Sequence, residues 1–206
     1  MRKARYRKYV AIGWMIAGSM VAAWNGYAYW EGYRAVQPIA TEPKTISKPV
    51  ISSVETKTGQ PEPKLDEHMG TLFIPKLHIS IPIYHGATEQ QLRKGVGHYP
   101  KSALPGEEGN VVLSGHRDTV FRRLGSVGKN DELIVQTKAG EFIYRVKKVR
   151  IVSENDRTVL VEKPRPTLTV TTCYPFDFIG NAKQRYVLVA DFISPSASRK
   201  EQQKKG

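Results

Sequence analysis

From about residue 69 to 193, apolar and polar positions alternate in short runs broken by Gly, Pro and Asn. Such runs predict β-strands rather than helices. Strands are expected at Thr71–Ile74, Leu77–Tyr84, Asn110–Ser114, Asp131–Thr137, Glu141–Val152, Thr167–Cys173 and Arg185–Phe192. Lys138-Ala139-Gly140 is a hairpin turn between two of them. Glu89–Lys94 and Val120–Val127 are the helix candidates. Within Glu141–Val152 the alternation changes parity: Phe142, Tyr144 and Val146 are even, Val149 and Ile151 odd. A slip of one residue turns side chains to the other face, so a bulge or bend is expected at Lys147-Lys148. Many short strands with turn signals predict an all-β barrel or sandwich.

A different pattern precedes this unit. Tyr9 to Trp30 carries no charged residue, and a helix of that length spans roughly 33 Å, close to the hydrocarbon thickness of a bilayer. Arg2, Lys3, Arg5, Arg7 and Lys8 come before it. That bias places the N-terminus in the cytoplasm and the rest of the chain outside. A cleaved signal peptide ending near Ala22-Ala23 is the alternative, with the same export, and a buried core helix is the other. Residues 31–68, punctuated by Pro38, Pro43, Pro49, Pro61 and Pro63, read as an extended stalk. The expected organisation is a basic cytoplasmic segment 1–8, a transmembrane signal-anchor 9–30, a stalk 31–68, a folded unit 69–193 and a disordered tail 194–206.

Charge changes the picture little. The net charge is +13, of which residues 1–8 supply +5 and the tail from Arg199 +3. The remaining +5 suits anionic headgroups or cell-wall polymers, and export argues against nucleic acid. Cysteine changes it more. The chain has one cysteine, so no internal disulfide, and a single thiol in an exported chain is either a buried filler or reactive.

Along Thr167–Cys173, Leu168 and Val170 share one face, the expected core, whereas Thr169, Thr171 and Cys173 share the other. A thiol that points away from the core at a strand end, before Tyr174-Pro175, favours chemistry. Acyl transfer by a thiolate needs an acid for the leaving amine and a donor for the oxyanion. His116 ends the Asn110–Ser114 strand and Arg185 opens the strand after Cys173. Spacing alone leaves open a turn histidine and a solvated arginine.

The motif is more specific than the spacing. Thr169-Val170-Thr171-Thr172-Cys173 resembles the TLxTC signature of sortases, the cysteine transpeptidases of Gram-positive cell walls, with Val170 in place of Leu. The order His, Cys, Arg is that family's order, and the 12 residues from Cys173 to Arg185 suit two neighbouring strands and their loop. Leu104 to Thr119 is similar to the family's histidine region, and Gly95-Val96-Gly97-His98-Tyr99-Pro100 fits upstream. The resemblance implies an eight-stranded sortase-type β-barrel with short helices behind one N-terminal transmembrane helix. It implies Cys173 as nucleophile, His116 as general acid and Arg185 as stabiliser of oxyanion and substrate, with Thr172 and Tyr174 beside the substrate. The substrates implied are surface proteins with C-terminal LPxTG-like sorting signals, cleaved after Thr. The acceptor implied is an amine of lipid II or peptidoglycan, and the place is the outer face of the cell membrane.

Absences narrow the class. No second apolar span and no Asp-Pro-aromatic lid argue against class C, and the short stretch from Ile151 to Arg165-Pro166 argues against the helical insertion of class B. The His-Tyr-Pro and Gly-His-Arg-Asp-Thr contexts resemble class D. No cofactor or metal is expected. A calcium site at Glu107-Glu108 with Asp131-Glu132 is the weaker alternative to solvated turn acids. Asp118 is a candidate to orient His116, or a turn cap. An L,D-transpeptidase, a papain-like peptidase and a non-catalytic scaffold are the rivals; Thr-Cys-Tyr-Pro and the His-before-Cys order disfavour the two enzymes.

Overall fold

The computed structural model describes residues 2–38, 62–177 and 180–193. Helix α1 (Arg2–Arg34) leads into nine strands: β1 (Gln37–Pro38), β2 (His68–Ile74), β3 (Ile79–His85), β4 (Val96–His98), β5 (Asn110–Ser114), β6 (Glu132–Thr137), β7 (Gly140–Ser153), β8 (Thr167–Tyr174) and β9 (Gln184–Ile193). Helix α2 (Glu89–Lys94) lies between β3 and β4. The spatial order is β1-β3-β2-β6-β7-β9-β8-β5-β4, and a β3–β4 pairing closes the sheet. Eight strands therefore form the barrel, as expected, and the two-residue β1 is added beside the first half of β3.

Alternation builds the interior. In β3, Ile79, Ile81, Ile83 and His85 are buried and the residues between them only partly so. Leu72, Ile81, Leu113, Leu133, Leu168 and Leu188 are fully buried in one cluster. The parity change in β7 is a bulge: the register to β9 shifts between Val146 and Lys148. The expected hairpin at Lys138-Ala139-Gly140 joins β6 to β7, with Gly140 at φ 143°.

Two local expectations change, and one strand is added to those expected. The strand expected from Leu77 begins at Ile79, because Pro75–Leu77 forms a 3₁₀ turn and His78 sits at φ 53°. The helix expected at Val120–Val127 is a series of turns with a 3₁₀ segment at Leu124–Ser126. Val120, Phe121, Leu124 and Val127 are all buried there, so helical spacing reflects packing without a regular helix. Strand β4 carried no pattern of its own. It is three residues long, parallel to β3 and antiparallel to β5.

Helix α1 covers the whole uncharged run and continues through Arg34. Among the described residues, however, no helix is long and apolar enough to cross a membrane. Gly13, Gly18, Ser19, Asn25, Gly26 and the tyrosines dilute its apolarity, so the hydropathy of this helix does not support the transmembrane signal-anchor expected at 9–30. Large apolar side chains along it, among them Trp14, Met15, Met20 and Trp24, are nevertheless uncovered. Its last turns lean on the barrel. Gly32 is buried where a Cβ would stand 3.1 Å from Thr119 Cγ2, in the turns that follow His116. The stalk expected at 31–68 thus begins as helix and β1, and it ends in turns and the first strand residue; its middle and the tail from 194 lie outside the described residues.

Candidate active site

Strands β5 and β8 run parallel, with Ser114 opposite Thr171. Two residues further on, His116 follows the end of β5 and Cys173 lies in the last two residues of β8, at the same end of the sheet. On the other side β9 runs antiparallel and places Arg185 opposite Cys173. The register therefore places the cysteine strand between the strands that carry His116 and Arg185, and brings the three residues to one end of the sheet. Cys173 is half-buried, and the His116 and Arg185 side chains are 32% and 29% exposed.

The histidine loop is stitched to the cysteine strand. Gly115 N donates to Thr171 O at 3.2 Å, and the buried Thr172 Oγ1 donates to Gly115 O at 2.8 Å. A Cβ at Gly115 would stand 2.6 Å from the Phe121 ring, so only glycine lets this loop close on its own following turn. Thr172 thus faces inward, and its hydroxyl is engaged with the backbone of the histidine loop. Tyr174 packs in an aromatic group beside the thiol: its ring centroid is 5.9 Å from Phe176 and 6.3 Å from Tyr186. Tyr186 OH donates to Val127 O at 2.9 Å, and burial foremost, then the nearby Asp131, raises its pKa.

Arg185 is aimed by its surroundings. Nη1 donates to Ala182 O at 2.7 Å and to Gln184 O at 3.0 Å, and Nη2 reaches Glu154 Oε2 at 3.5 Å. Glu154 opens the segment after β7, so that segment borders the site. Asn110 fastens its far end: Nδ2 donates to Val159 O at 3.0 Å and Val161 O at 3.1 Å, and Oδ1 accepts from Thr169 Oγ1 at 2.7 Å. The outward face of β8 is thereby covered at Thr169, which is buried, and opens only towards Cys173.

Two residues of the site carried no sequence assignment. Arg117 is buried, and its guanidinium donates to Pro175 O at 3.1 Å and Gly180 O at 2.8 Å. It ties the histidine loop to the loop between Cys173 and Arg185; its place directly after His116 was the available signal. Glu89 on α2 places Oε2 3.4 Å from His116 Nε2. Asp118, the expected orienting carboxylate, is exposed and makes no ion pair with the imidazole. No spacing rule links Glu89 to His116, because the contact crosses between separate elements.

The acids considered for calcium are engaged singly. Glu107 accepts from Leu104 N at 2.9 Å, Asp131 pairs with Lys76 at 2.7 Å, and Glu132 pairs with Arg145 at 3.1 Å. Among the described residues no group of three or more His, Cys, Asp or Glu is placed to hold a metal ion.

Comparison with known proteins agrees with this geometry. The Sortase domain family model matches residues 72–193. Sortase D of Bacillus subtilis (strain 168) is 35% identical over 191 residues, covering 88% of this chain and 96% of that protein. The catalytic domain of B. anthracis SrtD superposes with a TM-score of 0.57 at 41% identity, over 68% of this chain and 97% of that one. A Clostridium perfringens Sortase D5 transpeptidase gives a TM-score of 0.59 at 29% identity, over 64% and 82%. A closed barrel of this order with a cysteine strand between histidine and arginine defines a cysteine transpeptidase, and the chain belongs to the sortase family. Within that family it falls with class D.

Proposed function

We propose that this transpeptidase cleaves an LPxTG-like sorting signal after Thr and transfers the surface protein to an amine of a peptidoglycan precursor. Cys173 Sγ attacks the Thr carbonyl, and the peptide C–N bond breaks. His116 gives its proton to the departing Gly or Ala amine, and Arg185 donates hydrogen bonds to the oxyanion and the signal backbone. The thioester on Cys173 is then attacked by the acceptor amine of lipid II or a stem peptide, which restores the thiol. The reaction as written uses protein side chains alone and no cofactor. The observation that carries the reading is the register that sets Cys173 opposite Arg185, with His116 leaving the adjacent parallel strand at the same end.

Helix α1 supports a place at the outer face of the cell membrane. Basic residues precede an uncharged run whose large apolar side chains stand uncovered, and apolar surface of that extent needs lipid or protein around it. Alkaline extraction of the full chain from membranes tests this: retention in the pellet supports anchoring and release opposes it.

The reaction is tested with full-length protein in detergent, mixed with fluorogenic peptides of LPxTG-like and LPNTA-like sequence. Mass spectrometry follows the adduct, with Cys173→Ala as control. An adduct on Cys173 and cleavage after Thr support the reading. Folded protein that forms none with either peptide opposes it.

A further inference from the structure

We infer that Glu89 is the positioning residue for His116, the group that fixes which ring nitrogen is left for the reacting atoms; the inference rests on the transpeptidation reading above. Glu89 Oε2 stands 3.4 Å from His116 Nε2. A carboxylate there draws the ring proton of the neutral imidazole to Nε2 and leaves the Nδ1 lone pair to take up and pass on the transferred proton. In triads of this kind the third group acts through the histidine without itself changing protonation.

The short helix that presents Glu89 is held in place from several sides. Thr88 caps it, and Gln91 closes the capping box: Gln91 Oε1 accepts from Thr88 N at 3.1 Å and from Thr88 Oγ1 at 2.6 Å. Gln91 is itself buried, and its Nε2 donates to Asp66 Oδ1 at 3.2 Å. Asp66 Oδ2 also receives Lys94 Nζ at 2.6 Å and Gln90 Nε2 at 3.2 Å. Arg93 Nε then donates to Glu89 Oε1 at 3.0 Å, which orients the carboxylate and leaves Oε2 towards the imidazole. An isolated exposed ion pair orders little. This one joins two anchored elements, so its geometry costs little additional side-chain entropy.

The test compares full-length wild type, Glu89→Ala and Glu89→Gln in detergent. Thioacylation is followed with a sorting peptide, and the ring ¹⁵N signals of His116 are recorded without peptide. Wild type is expected to show the Nε2–H form. Glu89→Ala is expected to mix tautomers and to lower kcat by about tenfold, with KM within about twofold. Glu89→Gln keeps an acceptor oxygen and is expected to recover most of both signatures. Melting temperatures should match across the three, since the Glu89 side chain is 59% exposed. Unchanged tautomer and kcat in Glu89→Ala overturn the inference. So does a loss that follows melting temperature and that Gln does not rescue. If wild type forms no adduct, the transpeptidation reading fails, and the ring signals still decide whether Glu89 sets the tautomer.

Discussion

Thr172 and Gly115 are joined by a buried hydrogen bond of 2.8 Å, each one residue away from a member of the site: Cys173 on one side, His116 on the other. Thr172→Val removes the donor while keeping shape, and it leaves the Gly115 carbonyl buried without that bond. The expected loss is about 1–2 kcal/mol of stability by urea unfolding. A small shift between thiol and imidazole is expected to slow thioacylation by about tenfold, read from burst kinetics. Thr172→Ser, which retains the hydroxyl, should restore most of the rate.

Arg185→Lys keeps the charge opposite Cys173 and removes the planar fork. Lys offers its donors from a single point, so the bond to Ala182 O and the one proposed to the oxyanion are not made together. Thioacylation is expected to fall by about 10²–10³-fold. Melting temperature should barely move, because the Glu154 partner is a partly exposed pair at 3.5 Å. A large drop in melting temperature with retained rate would reverse this assignment.

Arg117 acts through the fold. Arg117→Ala takes the charged donor from the carbonyls of Pro175 and Gly180, and the expected cost is about 3 kcal/mol. Arg117→Lys should recover only part of it. Limited trypsin digestion reads the same clamp: cleavage after Lys183 is expected to quicken in Arg117→Ala.

His98 makes stability depend on pH. It is fully buried, contacts His85 Nδ1 at 3.1 Å and Ala103 O at 3.0 Å, and burial pushes its pKa from 6.5 down to about 4. The unfolded chain therefore binds the proton more readily than the folded one. The contribution is complete above pH 6.5 and is lost as pH falls from there towards 4, by about 3 kcal/mol in all. Urea unfolding at pH 7.5, 5.5 and 4.5 should show the loss in wild type. His98→Gln should be less stable at pH 7.5 and flatter across the series.

Much of the fold, and the candidate groups for the chemistry, was legible along the chain. Period-two alternation located seven strands, because half-buried strands must alternate. A parity change located the β7 bulge, because an extra residue must turn the pattern over. The Thr-Cys motif and the order of His116, Cys173 and Arg185 pointed to the chemistry, because nucleophile, acid and oxyanion donor are distinct residue types. Strand β4 left no mark, because three residues with a glycine in the middle hold no period and exist only where β3 and β5 offer edges. Helical spacing at Val120–Val127 misled, because a curved, buried turn satisfies the same spacing. The uncharged run predicted a helix correctly and overstated its apolarity, since absence of charge is not the same as hydrophobicity.

The sequence by itself determined which residue types are available for the chemistry and which strands carry them, since residue chemistry and alternation are local properties. Tertiary structure alone decided what stands next to what. It set Arg185 opposite Cys173, closed Gly115 onto Thr172, tied Arg117 across to Gly180, and brought Glu89 rather than Asp118 to the imidazole. Those contacts join segments that are distant along the chain. Only the register of a closed barrel, fixed by burying one face of every strand at once, brings them within hydrogen-bond reach.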